Sequence, residues 1–294
     1  LGLIGSVRNA RIKIALSKMV RKRRFAMAQP YVDEKLAERY ALDPQLTLWL
    51  NDKKNMLEYI PSVFLPKRFG VFADGASFAD ASLPSIPVPC VVKISSSCAG
   101  DGVRICKTRF DLLKAQTEYA RVRGSILAEE HVKPIRNFGI QFGIPADPRQ
   151  NIELIGVSEQ LTTPEGAFIG GLVDPERIFA RIDGINALLL HNVLPDIRER
   201  GWFGVGGFDV LVDQQERFFI VDPNFRMTGM TGFLCAARNN RVQKCMASFM
   251  GTFQGSDEQF LRTVVPLARE GSQKQRLHIL AMTHHGRTFR MSAA

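Results

Sequence analysis

The chain has 294 residues, 45% of them hydrophobic and 23% charged, with a net charge of +10. That is an ordinary globular composition, long enough for one large or two ordinary domains with a real core, and no apolar run can span a bilayer. The charge is local: residues 1–32 carry Arg8, Arg11, Lys13, Lys18, Arg21, Lys22, Arg23 and Arg24 and no acid, so +8 of the +10 lies there and +2 is left for the rest. A basic N-terminal arm is implied and a basic catalytic body is not, and nucleic acid is not expected as a partner.

Ile12, Leu16, Met19 and Val20 recur at helical spacing, which predicts an amphipathic helix over residues 10–24. Its Arg-rich, acid-poor character also suits an arm for nucleic acid or anionic lipid, or the tail of an organelle-targeting segment. There is no secretory h-region, and both ends of the chain are expected to be cut or processed. The five cysteines, at 90, 98, 106, 235 and 245, are odd in number and lack CxxC spacing. Free thiols in a reducing compartment follow, with neither a disulfide framework nor a zinc site, and the expected location is cytoplasmic.

Tyr31–Tyr40 reads as a helix, Asp43-Pro44 opens another, and Asn51-Asp52 caps a third with Lys53 in its first turn. A lysine opposes the dipole at a helix start, unless an anion sits there. Pro61–Pro89 reads as loops and short strands. Val88–Ile94 is a buried strand whose one charge, Lys93, needs a partner. It runs into Ser95–Gly102, a small-residue loop whose hydroxyls (Ser95, Ser96, Ser97) and glycines (Gly100, Gly102) suit phosphate wrapping, and then into a strand at Val103–Cys106. The loop is neither a Walker A nor a Rossmann turn, since no GK[ST] or GxGxxG opens a helix there.

Thr108–Asp111 is a capping box for a helix to about Arg121. Ser125–Val132 is a strand ending in Glu129, Glu130, His131 and Val132, a backbone edge and carboxylate suited to a base such as adenine. Phe138–Ile144, Ile152–Ser158 and Ala167–Leu172 have antiparallel strand spacing, and Ile178–Arg200 is helical. Phe208–Val212 and Phe218–Val221 form a hairpin across Gln214–Arg217. Pairing Asp213 with Phe218 puts Asp209 opposite Asp222, with Asn224 on the same face and Arg226 two residues on. Two adjacent carboxylates repel, and a divalent cation on oxygen ligands removes that cost. Phe233–Met250 and Glu258–Ala268 read as helices. Leu277–Thr283 and Thr288–Ser292 read as a hairpin with His284 and His285 in its turn. No Ser/His/Asp or Cys/His constellation is legible, and no internal repeat.

The order Lys53, Lys93 with its Gly/Ser loop, Glu129-Glu130-His131-Val132, then Asp209, Asp222, Asn224 and Arg226 resembles the ATP-grasp superfamily over about Asn51 to Ala236. The resemblance implies an α+β fold of two lobes with nucleotide between them: a lid at about 60–128 and a larger lobe at about 129–294, preceded by residues 1–50 as a basic arm or remnant of a leading domain. It implies that Lys53 and Lys93 bind phosphates, that residues 95–102 close over them, and that Glu129–Val132 hold adenine. Asp209, Asp222 and Asn224 would bind Mg²⁺, with Mn²⁺ as the alternative ion. Arg226 would steady the carboxylate and its acyl phosphate, and Thr228–Gly232 would line the acceptor pocket. The implied activity is an ATP- and Mg²⁺-dependent ligase joining a small-molecule carboxylate to an amine, with an amino acid or peptide as the expected substrate and a homodimer as the oligomer it allows. Three positions depart from the family pattern. Asp222 stands where glutamate is commoner. Phe225 stands where a small residue or proline is usual. Arg136 and Asn137 stand where a ribose-binding acid is often found. These departures motivate a second reading, an ATP-binding module without ligase activity within a larger assembly.

Overall fold

In a computed structural model, the described residues are 41–97, 102–163, 168–173, 183–239, 246–256, 258–259, 261–263, 266, 269–270, 279–285 and 288–293. The expected helices at 10–24 and 31–40, together with Cys98 and Gly100, lie outside them. α1 (Pro44–Leu50) starts as expected: Asp43 accepts from the Gln45 N–H at 2.8 Å, and Pro44 occupies the first turn. A 3-10 turn follows at Lys53–Glu58, with Asp52 as its cap.

Two sheets carry the architecture. The smaller has the order β1-β4-β2-β3, with β1 at Arg68–Phe72, β2 at Cys90–Ile94, β3 at Val103–Cys106 and β4 at Ile126–Glu130. Two helices, α2 (Gly75–Ala79) and α3 (Arg109–Tyr119), cover one face of it. α3 begins with the predicted capping box, in which Thr108 and Asp111 exchange side-chain-to-backbone bonds. Asp74 and Ser77 make a second one on α2. This smaller sheet and its helices have their own core, including Phe78, Ile86, Val92, Leu112 and Ile126.

The larger sheet is antiparallel, in the order β11-β12-β10-β7-β6-β5-β8-β9. Its strands are β5 (Arg136–Ile144), β6 (Glu153–Thr162), β7 (Phe168–Val173), β8 (Gly204–Val212), β9 (Phe218–Asn224), β10 (Met246–Gln254), β11 (Ile279–His285) and β12 (Thr288–Ala293). The helix expected over Phe233–Met250 is corrected here. α6 runs Thr231–Asn239 only, and Met246–Gln254 is a strand between β7 and β12. That apolar run takes its form from two flanking strands, because its own composition suits either state. His284 and His285 are likewise strand residues, paired with Phe289 and Thr288, and not turn residues. Between β7 and β8 run α4 (Asp183–Leu188), a π turn (Leu189–Val193) and α5 (Leu194–Glu199). With α1 and the Lys53 turn they pack on the sheet's far face around Phe138, Phe142, Trp202, Phe208 and Phe225. No described helix is long and apolar enough to cross a membrane.

Candidate nucleotide and metal site

β8 and β9 supply the acidic floor. Asp209 and Asp222 are direct ladder partners, as expected, but by another route. The turn pairs Val212 with Phe218, one step off the expected register, and a bulge between Asp209 and Val210 absorbs the extra residue, Val221. The bulge restores the register and turns the Val221 carbonyl outward, where it accepts from Lys93 Nζ at 3.4 Å. Asn224 is buried on the face that Asp222 occupies, while Phe225 turns the opposite way. Its ring meets Tyr59, Phe142, Trp202 and Phe208 at centroid distances of 5.1–6.1 Å. The departure at Phe225 is therefore a core anchor that fixes Asn224 and Arg226 on either side. The Phe225 N–H also donates to Asn51 Oδ1 at 3.0 Å, tying the strand to the segment that carries Lys53.

The two lysines arrive from separate elements. Lys53 is 4% exposed; its ammonium lies 2.9 Å from Asp222 and donates to the Ser97 carbonyl at 2.6 Å. Lys93, 7% exposed, lies 2.8 Å from Glu129. Arg68 lies 3.2 Å from Glu129 on its other side and donates to the Lys53 and Lys54 carbonyls. Burial pushes the Glu129 carboxyl up, but Lys93 and then Arg68 outweigh it, so it stays ionised and below its ordinary range. Each lysine is thus held by a protein carboxylate. A buried ammonium needs such a partner, and phosphate oxygens can take that place.

Asp209 is the perturbed group of the site. Burial, then the facing Asp222, pushes its carboxyl up to about 7, against the Gln160 hydrogen bond and the charges of Arg226 and Lys53. Gln160, on β6, donates to Asp209 Oδ1 at 2.7 Å. No sequence signal marked this residue, since it lies 49 positions from its partner and meets it only across β5. Gly139 on β5 makes the contact possible, because a Cβ there would stand 3.1 Å from Gln160 Nε2. Asn137 Oδ1 and Ser158 Oγ, on the same sheet face, are buried with no hydrogen-bond partner. Two carboxylates and an amide at one place, one carboxyl strained upward, fit a hard cation that takes its other ligands from phosphate and water. Among the described residues no group of three His, Cys, Asp or Glu gathers, so the protein's share of such a site is this partial set.

Two serines at the root of the expected phosphate loop have partners within the protein. Ser95 Oγ donates to Asp52 and accepts from the Lys54 N–H at 2.9 Å, and Ser97 Oγ donates to the Ile94 carbonyl at 2.8 Å. Both hydroxyls fasten the loop's root, and of the three serines Ser96 is the exposed one. Gly102 has φ +71, the left-handed conformation that admits glycine readily. Beyond β4, a cavity of about 180 Å³ is lined by Glu130, His131 and Val132 on one side and Gln214, Arg217 and Phe219 on the other. Burial, then Lys133 and Lys107, lowers the His131 pKa, which keeps its imidazole neutral. Beyond the acids, Arg226 makes one long bond, to the Met227 carbonyl at 3.4 Å, at the surface. Thr231, at the start of α6, is fixed by its bond to Gln141 at 2.9 Å.

Residues 72–224 match the family described as L-aspartate–L-methionine ligase, ATP grasp. The chain belongs to this ATP-grasp ligase family. Solved ATP-grasp structures share the fold at low identity. N5-carboxyaminoimidazole synthetase from Staphylococcus aureus, complexed with ADP, aligns with a TM-score of 0.63 at 13% identity, over 96% of this chain and 79% of that one. L-amino acid ligase from Bacillus licheniformis aligns at 0.63 and 14%, over 98% and 80%. The biotin carboxylase domain of Hydrogenobacter thermophilus 2-oxoglutarate carboxylase, complexed with MgADP, aligns at 0.63 and 13%, over 99% and 75%.

Proposed function

We propose that the protein uses ATP to join the carboxylate of one amino acid to the amine of another, releasing ADP and phosphate. The observation that carries this is the convergence of Lys53, Lys93, Asp209, Asp222 and Asn224, with the Arg226 charge acting on Asp209. Attack of a carboxylate oxygen on the γ-phosphorus brings anions together, so the barrier is mostly electrostatic. Lys53 and Lys93, moving from Asp222 and Glu129 to phosphate oxygens, offset that repulsion. A magnesium ion on Asp209, Asp222 and Asn224 would neutralise further phosphate charge. Arg226 orients the carboxylate through a two-pronged hydrogen bond and then holds the acyl phosphate. The incoming amine attacks the acyl carbon and phosphate leaves. Glu130 and Val132 offer adenine a backbone carbonyl and N–H, which here bond each other at 3.2 Å. The family description makes L-aspartate and L-methionine the first pair to try. ADP release that requires both an acid and an amine, with the amide found by mass spectrometry, is the expected result. Nucleotide binding with no turnover across all proteinogenic amino-acid pairs refutes the reading.

A further inference from the structure

The lid holds a second reactive pair that the chemistry above does not use. Cys90, at the start of β2, and Cys106, at the end of β3, are direct ladder partners. The Ile94 N–H donates to the Gly102 carbonyl at 2.8 Å, which marks a hydrogen-bonded pair. Such pairs alternate along an antiparallel ladder, so Val92/Arg104 and Cys90/Cys106 are hydrogen-bonded pairs too, with Cα atoms about 5.5 Å apart. A disulfide spans about 4.4–6.8 Å between Cα atoms. The two thiols belong to facing residues of the ladder, at 0% and 1% exposure inside the lid core. Lys93, one of the two lysines of the site, lies three residues along β2 from Cys90. The segment between the cysteines begins its loop at Ser95–Ser97, the stretch fastened to Lys53.

We propose that Cys90 and Cys106 are a reversible regulatory disulfide, formed by exchange with a low-molecular-weight disulfide such as oxidised glutathione, that staples the root of the phosphate-loop hairpin. Cys106 and the charge of Arg109 lower the Cys90 thiol against the effect of burial, while its neighbour and burial push Cys106 up. Either thiol can attack first once β3 has opened. When Cys90 does, its thiolate attacks one sulfur of the small disulfide and expels one small thiolate. The Cys106 thiolate then attacks the Cys90 sulfur and expels the second. The two cysteines lose two electrons to the small disulfide, and their two protons end on the released thiols. Access comes by opening of β3, a four-residue edge strand with Arg104 and Ile105 already exposed.

The full-length protein is equilibrated in glutathione buffers of rising oxidised fraction, denatured in an alkylating agent and digested. The expected product is a Cys90–Cys106 linked peptide, lighter by two hydrogens and reopened by dithiothreitol. Affinity for a fluorescent ATP analogue should change several-fold with it, and Cys90→Ser/Cys106→Ser should show no such response. The linkage is read by mass and does not depend on the ligase reading. Both cysteines fully alkylated at every buffer ratio, a link to any other cysteine, or a link that leaves nucleotide affinity unchanged overturns the proposal.

Discussion

Replacing Asp209 by asparagine should stabilise the nucleotide-free protein while disabling it. Asparagine keeps the shape and an oxygen for the Gln160 hydrogen bond at 2.7 Å, and removes only the charge facing Asp222. The Asp209 carboxyl rises from its ordinary 3.8 to about 7 on folding. A raised carboxyl favours the folded state below 3.8, where it is protonated in both states, and its ionisation erodes stability as pH climbs towards 7. Each pH unit in that interval is worth about 1.4 kcal/mol, so about 4 kcal/mol is the ceiling. Solvent reaching the carboxylate reduces this to about 1–3 kcal/mol. Urea denaturation of both proteins in metal-free buffer should give equal stabilities near pH 4 and a gap that widens to pH 7 in favour of Asp209→Asn, then stays level. Ligase turnover should fall by about 100-fold or more, since even outer-shell changes at metal sites cost about 10–100-fold. A variant less stable than wild type at pH 8, or a gap independent of pH, refutes the reasoning.

Further outcomes follow from the same geometry. Phe225→Ala should cost about 3–5 kcal/mol in chemical denaturation, because it empties the space between four rings, whereas Phe225→Leu should cost under about 1.5 kcal/mol. Lys93→Met leaves Glu129 with Arg68 alone and should destabilise by about 1–3 kcal/mol; Lys93→Met/Glu129→Gln should recover that loss without recovering ATP affinity, measured by calorimetry. Arg226→Ala should raise KM for the acid about 10–100-fold with little change in melting temperature, given its exposed, weakly bonded guanidinium. Below pH 7 the apparent affinity for Mg²⁺ in the presence of ATP should drop by up to about tenfold per pH unit, as a proton competes at Asp209, and Asp209→Asn should abolish that slope.

The sequence by itself determined what depends on local chemistry and period. The capping box at Thr108–Asp111 and the Asp43-Pro44 helix start follow from residue types within short stretches, whereas Asp209 and Asp222 face each other as expected only because a bulge offsets a turn register one step from the expected one. The order of the lysines, hinge and acids was enough to indicate the family. What it left open needs distant neighbours. Met246–Gln254 is a strand because β7 and β12 flank it, and Gln160 belongs to the site because β6 lies one strand beyond β5 from Asp209. Phe225 reads as an oddity in the motif and becomes an anchor once Trp202, Phe208 and Tyr59 surround it. Ser95 and Ser97 read as phosphate ligands, and only the folded chain shows that their hydroxyls also bond Asp52 and the Ile94 carbonyl. Periodicity tells which face a residue takes, but only the packed chain tells what stands opposite, and the partner decides whether a buried charge or hydroxyl is free to bind a ligand.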